Sequence, residues 1–386
     1  MDGQEHSGRL VERTLAAAAS ARALGSTWRR KLLGRQRYAG RAPEICEQVV
    51  RACFDSGRRF FRASPRGWSG FRVRDFGRVA PALLELGFEA EVGDSLRYAL
   101  KRYERAGRFA LVISPFGREV FDVRAYAPDG FALLLRALHG LRDGQLVERH
   151  RPWLERETWR FFRLVVDPST GLVRERVPFS EARGLAGRSS SCYSNAMCYL
   201  VQQELDALRL PNPLAAYDYG QLVRKRFLIG DRFRDEMGRA PTPSGDAAIM
   251  PFWTGLMGEG ARTRGLFERV LARLDADGLT RPYPARYGGS GASRRPGFFE
   301  RFDPDLRDAV WTSLGLQLLE TTERLLPERH ELELARYVRM VERLGCFPDV
   351  LDARSGDPYS GPFYQAEDSV IWAAALWAML RRKRRR

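Results

Sequence analysis

The stretch SVIWAAALWAML, from Ser369 to Leu380, is apolar on every face of a helix. A helix of this kind has to be buried on all sides, whereas a helix with one apolar stripe covers a core. The stretch EVGDSLRYALKRYER, residues 91–105, has a single apolar stripe opposite its charged side chains. Segments of these two kinds alternate along the chain, and the alternation predicts an inner and an outer layer of helices.

Apolar residues recur with helical spacing along most of the chain and predict twelve helices. The six apolar segments begin near residues 72, 128, 191, 245, 304 and 366. The six charged, amphipathic segments begin near residues 43, 91, 145, 214, 261 and 329. An inner ring of six helices within an outer ring of six is an all-α (α/α)6 toroid. We expect residues 41–386 to form this toroid as a single domain.

Two segments depart from the helical pattern. The run RFALVISPFGREVFDVR, residues 108–124, holds two β-rich stretches around Pro-Phe-Gly and predicts a small β-hairpin insertion. Residues 1–40 are rich in Arg, and we expect them to form an N-terminal helical leader. The Ala-rich part of this leader, LAAAASARALG, is interrupted by arginine, so it predicts neither a signal peptide nor a membrane span.

The chain of 386 residues carries a formal net charge of +16, and 44% of its residues are hydrophobic. That hydrophobic content is enough to bury a large core, and the positive charge suggests an anionic partner or substrate. Part of the Arg excess is typical of GC-rich genomes and is not informative about function. The charge is spread along the sequence, apart from the terminal run RRKRRR, which predicts a frayed and solvated end.

Motifs that bind cofactors or metals are missing from the sequence. It contains no phosphate-binding Walker loop and no dinucleotide-binding glycine motif. Its four His residues do not cluster, and its five Cys residues show no metal-ligand spacing. We therefore expect no cofactor, no metal and no Ser-His-Asp triad. Reduced, structural thiols predict a cytoplasmic protein.

In a toroid of this kind, the loops that precede the inner helices meet at one end and line a single pocket. In this sequence those loops hold carboxylates, arginines and aromatic residues. Glycoside hydrolysis needs this combination, because one carboxylic acid protonates the leaving oxygen and a second carboxylate activates water. Aromatic rings would stack on the faces of the sugar, and the candidates are Trp68, Tyr126, Tyr287 and Phe363.

Five motifs in chain order resemble those of the glucoamylase-type enzymes of glycoside hydrolase family 15, in the six-hairpin glycosidase superfamily. The first three are VRDFGRVAPALLELG (73–87), PFGREVFDVRAYAPDGFALLLRA (115–137) and FSEARGLAGRSSSCYSNAM (179–197). The last two are RPYPARYGG (281–289) and PDVLDARSGDPYSGP (348–362). The resemblance covers most of residues 70–382 and implies a catalytic (α/α)6 toroid without a cofactor.

The resemblance implies acid and base roles for two carboxyl groups. Glu181 stands in the place of the general acid and Asp349 in the place of the general base, with inversion at the anomeric carbon. Inversion requires the two carboxyl groups to lie about 6.5–9.5 Å apart, with room for a water. Ser180 stands where the family has Trp, and the base is Asp instead of Glu. Glu367 and Asp368 are rival candidates for the base, and Glu367 is otherwise a substrate-binding residue.

The resemblance also implies residues that hold the sugar. Arg74 and Asp75 match an Arg-Asp pair that binds hydroxyl groups of the terminal sugar, and Arg281 matches an arginine that grips it. Asp129, in Asp-Gly at the start of a helix, is a further substrate-binding candidate, although this dipeptide is also ordinary cap and turn chemistry. Asp246 has the same ambiguity, and we predict a structural role for it.

These observations predict a glycoside hydrolase that acts on a terminal or small glycoside, with an anionic sugar suggested by the Arg-rich loops. One alternative is a polysaccharide lyase or unsaturated-uronide hydrolase on the same toroid, with Tyr193 or Tyr126 as the base. Another is a basic helical scaffold that binds nucleic acid, but acidic residues in the converging loops would repel phosphate. We expect a carbohydrate substrate and neither nucleic acid nor a membrane as partner, and the oligomeric state stays open.

Overall fold

The structure is a computed structural model of the chain. The residues it describes are Gly25, Thr27, Lys31, Leu32, 34–67, 69–114, 120–121, 126–177, 179–181, 184–186, 188–288 and 303–385. Three features predicted from the sequence lie wholly or largely outside these residues. They are Trp68, most of the N-terminal leader and the Pro-Phe-Gly turn at 115–117.

The described part of the chain is mostly helical, with small sheets between the helices. Six helices form from the apolar segments: α2 (Val73–Glu85), α4 (Pro128–Leu141), α6 (Cys192–Ala207), α8 (Gly245–Trp253), α10 (Thr312–Leu325) and α12 (Ala373–Arg385). Six form from the amphipathic segments: α1 (Ala42–Cys53), α3 (Glu89–Ala106), α5 (Gly144–Val165), α7 (Tyr219–Phe227), α9 (Ala261–Ala276) and α11 (Pro327–Leu344). The predicted alternation of two kinds of helix is confirmed.

The two sets of helices differ in burial. All nine residues of α8 are buried, as are ten of the fourteen residues of α4. By contrast, α3 buries seven of its eighteen residues, and these recur at helical spacing along one face. The even-numbered helices therefore form an inner layer, and the odd-numbered helices cover it with one apolar face each.

Neighbouring inner helices pack directly on one another. Helix α4 lies between α2 and α6, α8 lies between α6 and α10, and α12 packs on α2. A Cβ at Gly77 would lie 2.5 Å from the carbonyl oxygen of Leu133, so glycine is needed where α2 approaches α4. One hydrophobic cluster extends from Ala42 in α1 to Leu380 in α12. Both ends of the helical region thus share one core.

The strands are two or three residues long and pair antiparallel. They are β1 (Phe54–Asp55) with β2 (Phe60–Phe61), β3 (Phe71–Arg72) with β4 (Val112–Ile113), β4 with β5 (Val120–Phe121), β6 (Phe179–Glu181) with β7 (Gly184–Ala186), β8 (Leu228–Ile229) with β9 (Arg232–Phe233), and β10 (Val310–Trp311) with β11 (Val350–Leu351). The pairing of β4 with β5 confirms the predicted hairpin. The β6–β7 hairpin was not predicted, and it carries Glu181.

The fifth inner helix begins later than the predicted start near residue 304. Pro304–Arg307 form a short 3-10 helix, and Val310–Trp311 then form β10. Helix α10 begins only at Thr312, whose N–H donates to the carbonyl oxygen of Asp349. Pairing of β10 with a distant strand therefore replaces the first turns of the predicted helix.

The sixth inner helix begins at Ala373, and the predicted start near residue 366 is wrong. Residues 366–370 are buried but extended, because their backbone groups pair with other loops. Ala366 N–H donates to Tyr359, and Val370 N–H donates to Phe347. Apolar character alone does not separate a buried extended segment from a buried helix.

Residues 34–39 of the N-terminal segment have neither helical nor strand structure. They lie against the loop that precedes α12. Tyr38 N–H donates to the carbonyl oxygen of Gly345 at 2.6 Å, and the Tyr38 hydroxyl lies 3.0 Å from Ser369 Oγ. Gln36 N–H donates to Asp368 Oδ2 at 3.0 Å. This segment therefore holds part of the loop that carries Glu367 and Asp368.

All five cysteines are buried free thiols: Cys46, Cys53, Cys192, Cys198 and Cys346. Burial raises the pKa of each thiol, and that of Cys198 and Cys346 to about 12. They therefore stay protonated near neutral pH and are not nucleophiles. Among the described residues, none of the helices combines the length and the apolar character that crossing a membrane requires.

Candidate active site

The N-terminal ends of the inner helices are joined by hydrogen bonds on one side of the inner layer. Arg74 in α2 and Tyr193 in α6 both donate to Asp129 in α4. Trp372, just before α12, donates through Nε1 to Asp75 in α2 at 3.0 Å. The first turns of α2, α4 and α6 and the residue before α12 are therefore neighbours.

The remaining inner helices are connected in the same way. At the start of α8, Gly245 N–H donates to the carbonyl oxygen of Tyr287 at 2.8 Å. At the start of α10, Thr312 N–H donates to the carbonyl oxygen of Asp349 at 3.0 Å. The starts of the inner helices and the loops that precede them are thus linked by hydrogen bonds, and most of the candidate residues lie on them. That these loops line one pocket stays a prediction.

Arg74, Asp129 and Tyr193 form one buried network. Arg74 binds Asp129 with two hydrogen bonds, Nε to Oδ2 at 2.6 Å and Nη2 to Oδ1 at 2.8 Å. The Tyr193 hydroxyl donates to Asp129 Oδ2 at 2.7 Å. Arg74 Nη2 also donates to the carbonyl oxygen of Ser180 at 3.2 Å. The network therefore fixes the strand that ends in Glu181.

Because this network is buried, breaking it should destabilise the fold. We expect R74M to lower the free energy of unfolding by about 3–5 kcal/mol, the usual loss when one partner of a buried ion pair is removed. Y193F removes one hydrogen bond to a charged acceptor and should cost about 1.5–3 kcal/mol. Urea denaturation measures both, with Y199F in the same helix as a matched control that should stay within about 0.5 kcal/mol. Equal stability of Y193F and Y199F would contradict the network.

Asp75 lies at the junction of the first and last inner helices. It is 8% exposed, and its Oδ1 accepts the hydrogen bond from Trp372. Its Oδ2 lies 3.0 Å from Arg72 Nε. A carboxylate held in this way at a helix N-terminus can accept hydrogen bonds from sugar hydroxyl groups only on its remaining lone pairs.

Glu181 is the last residue of β6 and is 3% exposed. Both of its carboxyl oxygens accept hydrogen bonds. Oε1 accepts from the hydroxyl groups of Ser191 and Ser194, the latter at 2.5 Å. Oε2 accepts from Arg188, whose Nε lies at 2.7 Å. The β6–β7 hairpin and the N-terminus of α6 therefore hold this side chain in one orientation.

Arg188 links Glu181 to two further carboxyl groups. Its Nη1 pairs with Asp235, and its Nη2 lies 2.9 Å from Asp246 Oδ2. Asp246 is fully buried, and the Arg188 side chain is 2% exposed. The sequence assigned Asp246 to a structural role, and its place beside Arg188 connects it electrostatically to Glu181.

One guanidinium faces three carboxyl groups here, so full ionisation would leave an excess negative charge in a buried site. Ser244 Oγ lies 2.9 Å from Asp235 Oδ1 and 2.6 Å from Asp246 Oδ1, yet a hydroxyl group has one hydrogen. It can therefore donate to only one of these two oxygens at a time. Burial raises the pKa of Glu181, against the opposing effect of Arg188. Burial and the excess of carboxyl groups both favour a protonated carboxyl group in this cluster.

Asp349 has a different environment. It is 3% exposed, and its Oδ2 accepts from the hydroxyl group of Tyr364 at 2.5 Å. Its Oδ1 accepts from the backbone N–H of Glu367 at 2.9 Å. A donor on each oxygen fixes the orientation of this carboxyl group.

Glu367 and Asp368 lie on the same loop and are also buried. Glu367 Oε2 accepts from Ser64 Oγ at 2.6 Å. Asp368 Oδ2 accepts from Gln36 N–H, and Arg66 lies 3.8 Å from the same oxygen. Neither residue is in α12, which begins at Ala373, so neither is a charge at the end of that helix.

Other predicted site residues are not brought into this arrangement. The Tyr126 hydroxyl donates to Glu157 in the outer helix α5 at 3.1 Å, and its ring packs against Phe109. Arg281 is exposed. Tyr287 is buried beside the start of α8. Trp68 lies outside the described residues, and Phe363 is 38% exposed.

The sequence did not identify Arg188, Asp235 or Tyr364 as functional candidates. Asp235 lies far along the chain from Glu181 and reaches it only through Arg188. In a chain with so many arginines, no local pattern distinguishes Arg188. Tyr364 could have been identified from the sequence, because it follows Asp349 by only fifteen residues in the same loop.

Within the part of the chain that the structure describes, no cluster of three His, Cys, Asp or Glu residues fits a metal ion. The described side chains at the starts of the inner helices include several buried carboxyl groups. Burial raises the pKa of Glu181, and Asp349 accepts one hydrogen bond on each carboxyl oxygen.

Comparison with known proteins extends this picture. No family model matches the sequence. No curated protein matches it either. Among solved structures, a glycosidase variant superposes with a TM-score of 0.65 at 13% identity, over 89% of this chain and 96% of the other. A glycoside hydrolase family 63 mannosylglycerate hydrolase from Thermus thermophilus, in complex with glucose, gives a TM-score of 0.58 at 13% identity, over 89% of this chain and 100% of the other.

This chain has the fold of those glycosidases. A rhamnosidase from Klebsiella oxytoca with rhamnose bound has it too, with a TM-score of 0.64 at 10% identity. That match covers 89% of this chain and 63% of the rhamnosidase. At such low identity the likeness concerns the fold, and the function has to be argued from the site.

Proposed function

We propose that the protein is a glycoside hydrolase whose residues 41–386 form one catalytic (α/α)6 toroid. The observation that carries the proposal is a pair of buried carboxyl groups, Glu181 and Asp349, that hydrogen bonds hold in fixed orientations on two of the loops preceding the inner helices. The fold shared with several glycosidases supports it.

Glu181 acts as the general acid. Its raised pKa keeps a proton on the carboxyl group closer to neutral pH than is usual for glutamate. The proton goes to the glycosidic oxygen as the bond from that oxygen to the anomeric carbon breaks. Arg188 and the serine hydroxyl groups then stabilise the carboxylate that is left.

Asp349 acts as the general base. As a carboxylate it takes a proton from a water molecule, whose oxygen attacks the anomeric carbon from the face opposite the leaving group. The products are the sugar with inverted configuration and the free alcohol. Tyr364 and the backbone N–H of Glu367 orient the carboxylate for this step.

In this proposal the substrate is held by polar residues on the loops that carry the acid and the base and at the starts of neighbouring inner helices. Arg74, Asp75 and Asp129 present buried polar groups at the starts of α2 and α4, and Glu367 lies beside Asp349. Trp68, Tyr126, Arg281 and Tyr287 remain predicted contacts. Neighbouring structures hold glucose or rhamnose, which supports a terminal sugar or a small glycoside as the substrate. Assignment to family 15 in particular also remains a prediction.

The proposal is tested by a panel of 4-nitrophenyl glycosides and natural disaccharides that covers both anomers, with uronides included. We expect release of nitrophenol or monosaccharide from at least one member. E181Q serves as the negative control, because a contaminating hydrolase would be unaffected by it. Lack of hydrolysis across the panel, or equal hydrolysis by E181Q, would overturn the proposal.

The pH dependence of hydrolysis should show the loss of activity that follows deprotonation of Glu181. Because the protonated carboxyl group is the active form, kcat/KM should fall as the pH rises through the pKa of Glu181, which burial places above the usual range of glutamate. Initial rates from pH 4 to 9 measure this alkaline limb. The limb should be absent from the residual activity of E181Q towards 2,4-dinitrophenyl glycosides, and an unchanged limb would assign it to another group.

The lyase alternative receives no support from the tyrosines predicted for it. The Tyr193 hydroxyl donates to Asp129, and burial raises the pKa of this phenol well above its usual range. The Tyr126 hydroxyl is bound to Glu157. The Tyr193 phenol is therefore harder to ionise than usual, and the Tyr126 hydroxyl is held by an outer helix.

A further inference from the structure

Arg78 is an unusual arginine in the inner layer. It lies in α2, one helical turn after Arg74, and is 6% exposed. Residues four apart share one face of a helix and are separated by about 6 Å along its axis. Arg78 is therefore on the face of α2 that carries Arg74, one turn farther from the converging loops.

Two nitrogen atoms of the Arg78 guanidinium have no hydrogen-bond partner among the described residues. Its Nε and Nη2 are buried, and no hydrogen-bond acceptor for either is found among the described residues. Among the described residues, no carboxylate forms an ion pair with Arg78. Its central carbon instead lies 5.8 Å from the centre of the Trp372 ring, a cation–π contact.

Arg74 provides an internal comparison. It uses the same two groups, Nε and Nη2, to bind both carboxylate oxygens of Asp129. This edge of a guanidinium matches the two oxygens of a carboxylate. In Arg78 the equivalent edge is unused, although burying a cation without a partner costs several kcal/mol. The many exposed arginines of the chain carry no such cost.

The surroundings of Arg78 place it below the candidate active site. Its helix α2 packs against α4 on one side and α12 on the other, and α4 packs in turn on α6. Trp372, which stacks on Arg78, is hydrogen-bonded to Asp75. Neighbouring inner helices and the loop before α12 therefore surround Arg78, directly beneath Arg74 and Asp75, which are proposed to hold the terminal sugar.

We propose that Arg78 determines specificity by binding a carboxylate on the sugar that enters deepest, so that the substrate is a uronide. The inference rests on the proposed glycoside hydrolase function. A carboxylate at C5 of a terminal uronic acid would accept hydrogen bonds from Nε and Nη2 and neutralise the buried cation. A neutral hexose, with a hydroxymethyl group there, supplies no charge and leaves the cation unpaired.

The first test compares matched substrates. Kinetics with 4-nitrophenyl glucuronide and glucoside, and with galacturonide and galactoside, in both anomeric forms, give the ratio of kcat/KM for acid to neutral sugar. We expect the ratio to exceed about 10 for the wild type and to fall about 10- to 100-fold in R78M, the range for a hydrogen bond to a charged group. R78K should keep an intermediate ratio, because it keeps the charge but loses the planar edge.

A control and a stability measurement separate this role from a structural one. R97M removes a half-exposed arginine from the outer helix α3 and should leave the ratio unchanged. R78M removes an unpaired buried charge, so its thermal midpoint should equal or exceed that of the wild type, whereas loss of a structural arginine would lower it. A wild-type preference for neutral sugars, or equal losses on both sugars in R78M, would overturn the proposal.

Binding tests the inference without catalysis. Calorimetric titration with glucuronate, galacturonate, glucose and galactose should give tighter binding of the acids to the wild type, and this preference should disappear in R78M. If no glycoside is cleaved but the acids bind through Arg78, the hydrolase function fails and the anion site stands. If neutral glycosides are cleaved and the acids do not bind, the anion site fails and the hydrolase function stands.

Discussion

E181Q should lower kcat for glycosides with poor leaving groups by about 10²- to 10⁴-fold, the usual contribution of a general acid. Glutamine can occupy the same space and accept from Arg188, but it has no proton to give. The loss should be much smaller for 2,4-dinitrophenyl glycosides, whose leaving group needs no protonation. Steady-state kinetics on both classes of substrate measure the difference.

The matched control for E181Q is E175Q, which makes the same change at an exposed glutamate six residues away. We expect E175Q to behave as the wild type on both substrates. Both variants should unfold within about 1 kcal/mol of the wild type, since Arg188 keeps Asp235 and Asp246 as partners. If E181Q hydrolysed substrates with poor leaving groups at the wild-type rate, the acid role would be refuted.

D349N should also lower kcat by about 10²- to 10⁴-fold, but equally for good and poor leaving groups. The base acts on the attacking water, so its removal affects every substrate. Asparagine keeps one acceptor for the N–H of Glu367, which should preserve the loop. Comparison of leaving-group dependence in E181Q and D349N therefore separates the two roles.

Two further variants, E367Q and D357N, should be measured beside D349N in the same assay. Asp357 is half-exposed and pairs with Arg343 on the protein surface, so D357N should keep full activity. E367Q tests the rival base and should lose less activity than D349N. The reverse order, with D349N active and E367Q inactive for all leaving groups, would move the base to Glu367.

The sequence was sufficient to predict the layers of helices because burial dictates composition. The segment Gly245–Trp253 is buried at every position and is apolar except for Asp246, which pairs with Arg188. The outer helix Glu89–Ala106 is buried along one face only, so its apolar residues form a single stripe. The order of these segments then indicates which loops converge, and so where candidate residues lie.

Helix starts at the last two inner helices were not predictable in this way. Val310–Trp311 is as apolar as the helix that follows it, and residues 366–370 are buried, but the backbone groups of both segments pair with distant residues. Such pairings join residues far apart in sequence. Helical periodicity reports only on near neighbours, so it extends the predicted helix across them.

Much the same limit applies to the candidate site. Glu181 and Asp349 could be selected from motifs, but the partners that set their protonation could not. Arg188 is one of many arginines until Asp235 and Asp246 are found beside it. Tyr126 looked like a sugar-stacking residue, yet its hydroxyl is bound to the outer helix α5.

The stereochemical course of hydrolysis tests the central claim most directly. Proton NMR during the first minutes of cleavage shows which anomer of the sugar is released, before it equilibrates in water. Direct attack of water activated by Asp349, with the proton supplied by Glu181, predicts a product of inverted configuration. Release of the anomer with retained configuration would contradict this account.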